Sequence, residues 1–480
     1  MFHKTRLVLL AAIPALAACT VGPDYVRPGI EAPAAYKEAG SWKVAAPADH
    51  LTRGKWWEIF GDPELGALEE QVNISNQNVQ LAEAQFRQAR ALAQGARAAY
   101  YPAVGGDVSA TRSHTGAARQ GAGGDSTATD YNFSLNASWE ADIWGRVRRS
   151  VESGDASFQA SAADLEGARL SAQAELAQDY FQLRVADAQQ RLLDATVAGY
   201  EKSLALTKNR YAQGVAARAD VAQAETQLKT TQAQAIDLGV QRAQLEHAIA
   251  LLVGKAPADF SLAPSATAAT FPAIPAGLPS ELLERRPDIA AAERRVAAAN
   301  AQIGVAKSAF FPSLTLSATG GYQSATLAGW FSAPNRFWSL GPALAQTLFD
   351  GGLRRAQTDQ AIAAYDASVA TYRQTVLGGF QQVEDNLSAL RILEREAAMQ
   401  DEAVRAARQS VTLTVNQYRA GIVSYLNVVA VQAAVLASER AAADILGRRL
   451  SASVLLVKAI GGGWSAPALP GRVADAAARP

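Results

Sequence analysis

The 480-residue chain has little of what enzymes use. It holds one cysteine, Cys19, so no intramolecular disulfide can form. Its four histidines, His3, His50, His114 and His247, are scattered and make no HExxH pair. There is no Walker loop, dinucleotide fingerprint or GxSxG elbow. The chain is therefore expected not to be an enzyme and to carry no catalytic or metal site. The 45 basic and 45 acidic residues balance, so no excess charge invites nucleic acid. Aromatics make up only 7%, while alanine is abundant, which suits long, closely packed helices. The apolar run from Leu7 to Ala18 is too short to span a bilayer and contains Pro14.

What is present is a repeat. NRYAQGVAARADV (209–221) returns as NQYRAGIVSYLNV (416–428), and Tyr418 lies 418 − 211 = 207 residues after Tyr211. Each stretch interrupts a long helical pattern at one glycine, Gly214 or Gly421, where a helix can end in a left-handed conformation. Both are expected to be tips of antiparallel helical hairpins. Leu176, Leu183, Gln190, Val197, Leu204 and Tyr211 recur every seven residues, with Ala186, Leu193, Tyr200 and Thr207 as a second row. Val369, Val376, Val383, Leu390, Ala397, Val404, Val411 and Tyr418 form the matching seam of the second half. A seven-residue apolar repeat implies left-handed coiled-coil packing. A helix from Arg146 to Gln213 would be ~100 Å long at 1.5 Å per residue.

Elsewhere the period changes from helical to two. In 132–140, Phe133, Leu135, Ala137 and Trp139 alternate with Asn132, Ser134, Asn136, Ser138 and Glu140. Strands are expected over 104–113, 131–141, 313–322 and 337–348, two in each half. Each is about as long as a tilted membrane-spanning strand, which needs ~9–11 residues. Four strands cannot close a barrel alone, and unpaired sheet edges in lipid cost several kcal/mol per group. The strands must therefore close with other subunits or lie outside lipid.

The expected organisation is a signal segment at 1–18, an extended arm at 19–62 and a first repeat at 63–256, containing one helix from Pro63 to Tyr100. A proline-rich linker at 257–280, a second repeat at 281–464 and a tail at 465–480 follow. Trp56 and Trp57 are expected to pin the arm onto a helix surface. The segment ending LAAC, Leu16 to Cys19, resembles a bacterial lipobox, which implies that Cys19 carries diacylglycerol and palmitate. Thr20, rather than Asp, follows it and points to the outer membrane.

The order of VGPDYVRP, KWWEIFGDPEL, LPSELLERRPDIAAAE, the DIWG and FDGG strand exits and the two YxxG tips resembles the TolC-type outer-membrane efflux channels. More narrowly, it resembles their NodT/OprM-like lipoprotein branch, over residues 1–464. The resemblance implies an internally duplicated α+β membrane protein whose four strands join a trimeric twelve-stranded barrel above a coiled-coil periplasmic tunnel. It implies a homotrimer in the outer membrane, working with a periplasmic adaptor and an inner-membrane pump of the resistance-nodulation-division type. The implied function is the exit duct of a tripartite efflux system. A duct for type I protein secretion and a lipid-anchored scaffold without a pore remain alternatives.

By the same resemblance, Asp220 falls on an acidic gate position. Its repeat mate is Asn427, and Ala430 stands where relatives often carry Asp. Arg218, Tyr418 and Tyr425 are further candidates for the constriction, and Gly214, Val215, Gly421 and Ile422 for the adaptor docking edge. Asp220 could equally be a helix-end acid.

Overall fold

The computed structural model describes residues 20–39, 55–115, 126–265, 282–463 and 469–471. Cys19, the signal segment, the linker from 266 on and most of the tail lie outside them.

The first half opens with α1 (Pro63–Ser75) and α2 (Gln77–Ala98), not one helix. The break is at Asn76, whose extended backbone stops α1 while its side chain accepts from the N–H groups of Asn78 and Val79 and so caps α2. The Asn76 amide also donates to the Leu252 carbonyl at 2.8 Å, tying the break to the end of a later helix. Strands β1 (Ala103–Thr115) and β2 (Ser126–Ala141) follow. Then come the hairpin helices α3 (Arg146–Ala212) and α4 (Arg218–Leu252).

The second half repeats the order with α5 (Pro287–Ser308), β3 (Ser313–Ser324), β4 (Arg336–Ala345), α6 (Leu353–Arg419) and α7 (Tyr425–Ala459). Both long helices have 67 residues, ~100 Å at 1.5 Å per residue. Three strands run further than the alternation suggested, whereas β4 ends at Ala345, short of the expected Leu348. Beyond Ala345 the chain leaves the ladder and Leu348 and Phe349 stand exposed.

The four strands form one antiparallel sheet in the order β1-β2-β3-β4. At the opposite end of the long helices from the tips, α3 is packed on several sides by α2, α5 and α7, and over its whole length 28 residues are buried. Its mate α6 buries only nine, along the single seam that includes Val376, Val383, Leu390, Val404 and Tyr418. In α3 the expected rows separate. Leu176 and Leu183 are buried but Tyr211 is 47% exposed, whereas Ala186, Leu193, Tyr200 and Thr207 stay buried to the tip. The second row is therefore the more enclosed of the two near the tip, while Leu204 of the first row is half-buried against the tip core.

The arm is pinned at both ends. Val21 donates to the Trp144 carbonyl at 3.0 Å, and buried Arg149 holds Asp24 at 2.7 Å. The arm passes so close to Gly304 that a Cβ there would lie 3.0 Å from the Val21 carbonyl oxygen. Further on, Lys37 and Glu38 donate backbone N–H groups to the Glu384 carboxylate of α6. Trp56, Trp57 and Phe60 are buried, and the Trp56 indole donates to Gln173 of α3 at 3.1 Å. Apolar burial plus one satisfied N–H makes this pair a structural pin.

Candidate functional site

Two regions carry the features of a membrane duct. The first is the sheet. Its register puts Gly106, Leu135, Gly320 and Trp338 side by side, with Val104, Ala137, Ala318 and Leu340 in the next row of the same face. Val104, Val108, Leu135, Trp338, Leu340 and Leu344 on this face are all more than half exposed. The other face is polar and cross-linked. Asn136 donates to Asp107 at 2.5 Å, Thr319 donates to Asn136 at 3.0 Å, and Gln323 donates to Asp130 at 3.0 Å. Ser134 on this face is buried opposite Gly321, so a large side chain has no room there. An apolar face opposite a polar one is the pattern of a strand between lipid and an aqueous lumen.

Aromatic groups gather at both ends of the sheet. At the helix end Trp144 stacks on Phe311 at 4.8 Å, and the Trp139 indole donates to the Tyr100 carbonyl. At the far end Tyr131, Trp330 and Phe331 form a cluster with centroids 5.8 and 4.9 Å apart. Tyr131 and Trp139 are eight residues apart on β2, so the two belts are ~27 Å apart along the strand, or ~20 Å in height at a tilt of ~40°. That is close to the apolar band of a membrane barrel, flanked by its two aromatic girdles. Among the described residues no helix is long and apolar enough to cross a membrane.

The second region is the pair of hairpin tips. Gly214 and Gly421 have φ of +75° and +78°. At each, the glycine N–H donates three residues back, to Tyr211 or Tyr418. The next N–H, of Val215 or Ile422, donates five residues back, to Arg210 or Gln417. This double closure is the Schellman end of a helix, and it needs a left-handed residue. Val215 and Ile422 are 62% and 72% exposed at the outermost turn.

The proposed constriction residues do not share one environment. Arg218 and Asn427 are exposed. Asp220 is half-buried in the first turn of α4, and its carboxylate accepts from the Ala217 N–H at 3.2 Å, the position of a helix-start acid. Tyr418 and Tyr425 are buried against each other, edge to face with centroids 5.4 Å apart. They share a small core with Ala224 and Val428, flanked by Leu204, Val415, Val423 and Val429. Desolvation, and then the neighbouring Tyr418, push the Tyr425 phenol up to about 12, against a hydrogen bond from Ser203. The structure thus brings the two tyrosines together inside the chain and leaves Arg218 and Asn427 on its surface.

One tip residue has no signature in the sequence. Arg210, near the end of α3, donates from Nη1 to the carbonyls of Tyr418 and Arg419, each at 3.3 Å. Its guanidinium lies 4.8 Å from the centroid of the Tyr418 ring. Its repeat mate, at 210 + 207 = 417, is Gln417, so the duplication gives no hint of this contact.

The profile of the outer membrane efflux protein family matches residues 68–255 and 278–462, one stretch for each half. A pyoverdine export outer membrane protein of Pseudomonas aeruginosa is 32% identical over 465 residues, covering 96% of this chain and 97% of its own. A solvent efflux pump outer membrane protein of Pseudomonas putida is 30% identical, covering 96% and 99%. Among solved structures, the outer-membrane channel OprN is similar with a TM-score of 0.87 at 32% identity, covering 93% of this chain and all of its own. The open-state MtrE outer membrane channel of Neisseria gonorrhoeae is similar with a TM-score of 0.83 at 27% identity, covering 93% and 99%. With its two-faced sheet and paired 67-residue helices, the chain belongs to the outer membrane efflux protein family and serves as an outer-membrane efflux channel component.

Proposed function

We propose that three copies of this chain close a twelve-stranded barrel and continue as one helical tunnel, forming the passive exit duct of a tripartite efflux system. The observation that carries this reading is the open sheet. Edge strands β1 and β4 have no strand neighbour on their outer sides among the described residues, although one face is apolar and flanked by aromatic belts. An isolated four-stranded sheet would leave those edge N–H and C=O groups unpaired in lipid, at several kcal/mol each. Pairing β4 of one copy with β1 of the next removes both edges. The sparse burial of α6 leaves a face for the neighbouring copy in the same arrangement.

In this reading Cys19 carries the diacylglycerol and palmitate that anchor the arm, and the protein needs no other cofactor. A periplasmic adaptor grips the turns at Gly214, Val215, Gly421 and Ile422, and a resistance-nodulation-division pump supplies the energy. Arg218, Asp220 and Asn427 face the constriction, while Tyr418 and Tyr425 shape it from within the hairpins. With Asn427 and Ala430 in place of carboxylates, the second hairpin contributes no acid at those positions. Planar-bilayer recording of the purified, detergent-solubilised assembly tests the duct. Discrete channels from a particle of three-chain mass are expected, and a monomeric mass or a silent bilayer refutes it.

A further inference from the structure

We infer that the cavity beside the helix end of the sheet is a site for the headgroup of a zwitterionic membrane phospholipid, with its phosphate toward Arg148 and its ammonium toward Asp155. The inference uses the chain's place in the outer membrane and is independent of how many copies close the duct.

The cavity has a volume of about 650 Å³ and lies between the end of α2 and the first turns of α3, with Thr20 and Asp24 of the arm at its edge. Tyr100 and Tyr101 line it on the sheet side. The Tyr100 carbonyl accepts the indole N–H of Trp139, which belongs to the aromatic belt at the helix end of the sheet. Such belts sit at the level of the lipid headgroups, so the cavity opens where headgroups lie.

Its charges are balanced. Arg97, Arg148 and Arg149 line it together with Asp24, Glu152 and Asp155, which favours neither a free anion nor a free cation. Among the described residues no acids gather into a group that could hold a metal ion. Arg149 is spent on the fold, donating to Asp24, Glu152 and the carbonyls of Val21 and Gly22. Arg97 and Asp155 are only half spent. They meet at 2.8 Å through Nη2 and Oδ2, while Arg97 Nε and Asp155 Oδ1 are buried without a hydrogen-bond partner among the described residues. Asp155 is 6% exposed, so its second oxygen is desolvated as well as unpaired. Leaving such groups unmatched is costly, and a ligand that repairs both must bring a donor and an acceptor.

The charges also come in the right order. Helix α3 starts at the sheet and runs away from it, so Arg148 lies nearest the membrane. Glu152 and Asp155 follow on the same face, reaching ~10 Å further along the helix. A phospholipid that enters from the bilayer presents its phosphate first and its amine last. Arg148 gives Nε to Asp142 at 3.1 Å yet stays partly exposed, and a guanidinium suits a phosphate. The carboxylate beyond it suits an ammonium. Ethanolamine carries N–H donors for Asp155 Oδ1, whereas choline carries none and a glycerol headgroup has no cation.

Native mass spectrometry of the full-length protein in its detergent-purified assembly tests this. Phosphatidylethanolamine, phosphatidylcholine and phosphatidylglycerol with the same acyl chains are added in turn. The parent is expected to retain phosphatidylethanolamine about tenfold more strongly than either of the others, the scale of one charge-assisted hydrogen bond. Equal retention of all three, or a preference for phosphatidylglycerol, overturns the site. Asp155→Asn should abolish the preference over phosphatidylcholine, and Arg148→Gln should lower retention of all three, since each has a phosphate. The exposed Arg112→Gln, toward the other end of β1, should match the parent. A preference that survives Asp155→Asn places the amine elsewhere, and full retention in Arg148→Gln places the phosphate elsewhere; either result overturns the assignment. The comparison of lipids on the parent needs no substitution, so it decides the matter even where a variant fails to assemble. Planar-bilayer conductance of the same preparation reads the duct separately.

Discussion

Replacing Leu135 with arginine sets a charge in the middle of the apolar face of β2. The register surrounds the position with Gly106, Gly320 and, one strand further, Trp338. None of these is an acid, and two have no side chain, so the guanidinium gains neither a partner nor cover. Leu135 is already 52% exposed, so no core packing is lost and the cost is that of a charge in lipid. At mid-depth that cost is ~2–4 kcal/mol per chain, or about 6–12 kcal/mol for a barrel of three chains. Ser138 is the control, since it lies three residues along on the polar face and is exposed. Heat-modifiable gel mobility and the yield of assembled protein in outer-membrane fractions read the effect. Leu135→Arg should sharply reduce assembled protein, Leu135→Gln should reduce it less, and Ser138→Arg should be near parental. Equal tolerance at Leu135 and Ser138 would refute the assignment of the two faces to lipid and lumen.

Glu69 is fully buried on α1, neither carboxylate oxygen has a partner among the described residues, and desolvation raises its pKa well above the usual carboxylate range. Glu69→Met should therefore be neutral or stabilising by about 1–2 kcal/mol in denaturant titrations at pH 8; a loss of more than about 1 kcal/mol would reveal an unseen partner. Half-buried Asp179 is pushed up from 3.8 to about 6, by desolvation and then by Glu175. The folded state thus holds a proton that the unfolded chain releases between those values, so ionised Asp179 costs stability above pH ~6 and costs nothing below pH ~4. Solvent on its open side reduces the effect to about 1 kcal/mol. Asp179→Asn should raise the midpoint of thermal unfolding at pH 7.5 but not at pH 4, and an equal rise at both would refute that cause.

The sequence determined the elements. A seven-residue period can only be a helix seam, and a two-residue alternation can only be a two-faced strand, so the helices, four strands and glycine tips were legible from local pattern. The lipid and lumenal faces were legible too, because strand parity alone assigns them. The break at Asn76 was not, because a capping asparagine looks like any helix-surface amide until its backbone turns. Nor did the seams reveal which half would be enclosed. Leu176 and Val383 carry the same pattern, yet α3 is packed on several sides and α6 along one, since burial depends on which helices arrive from elsewhere in the chain. The tips show the limit most clearly. Tyr211 and Tyr418 are repeat mates in the same YxxG motif, but Tyr211 is 47% exposed and Tyr418 5%. Arg210 crosses from one hairpin to cover the second tyrosine, while its mate Gln417 offers no such cation to the first. Local sequence fixes which way a side chain points from its own helix; what it meets is decided by a residue some two hundred positions away.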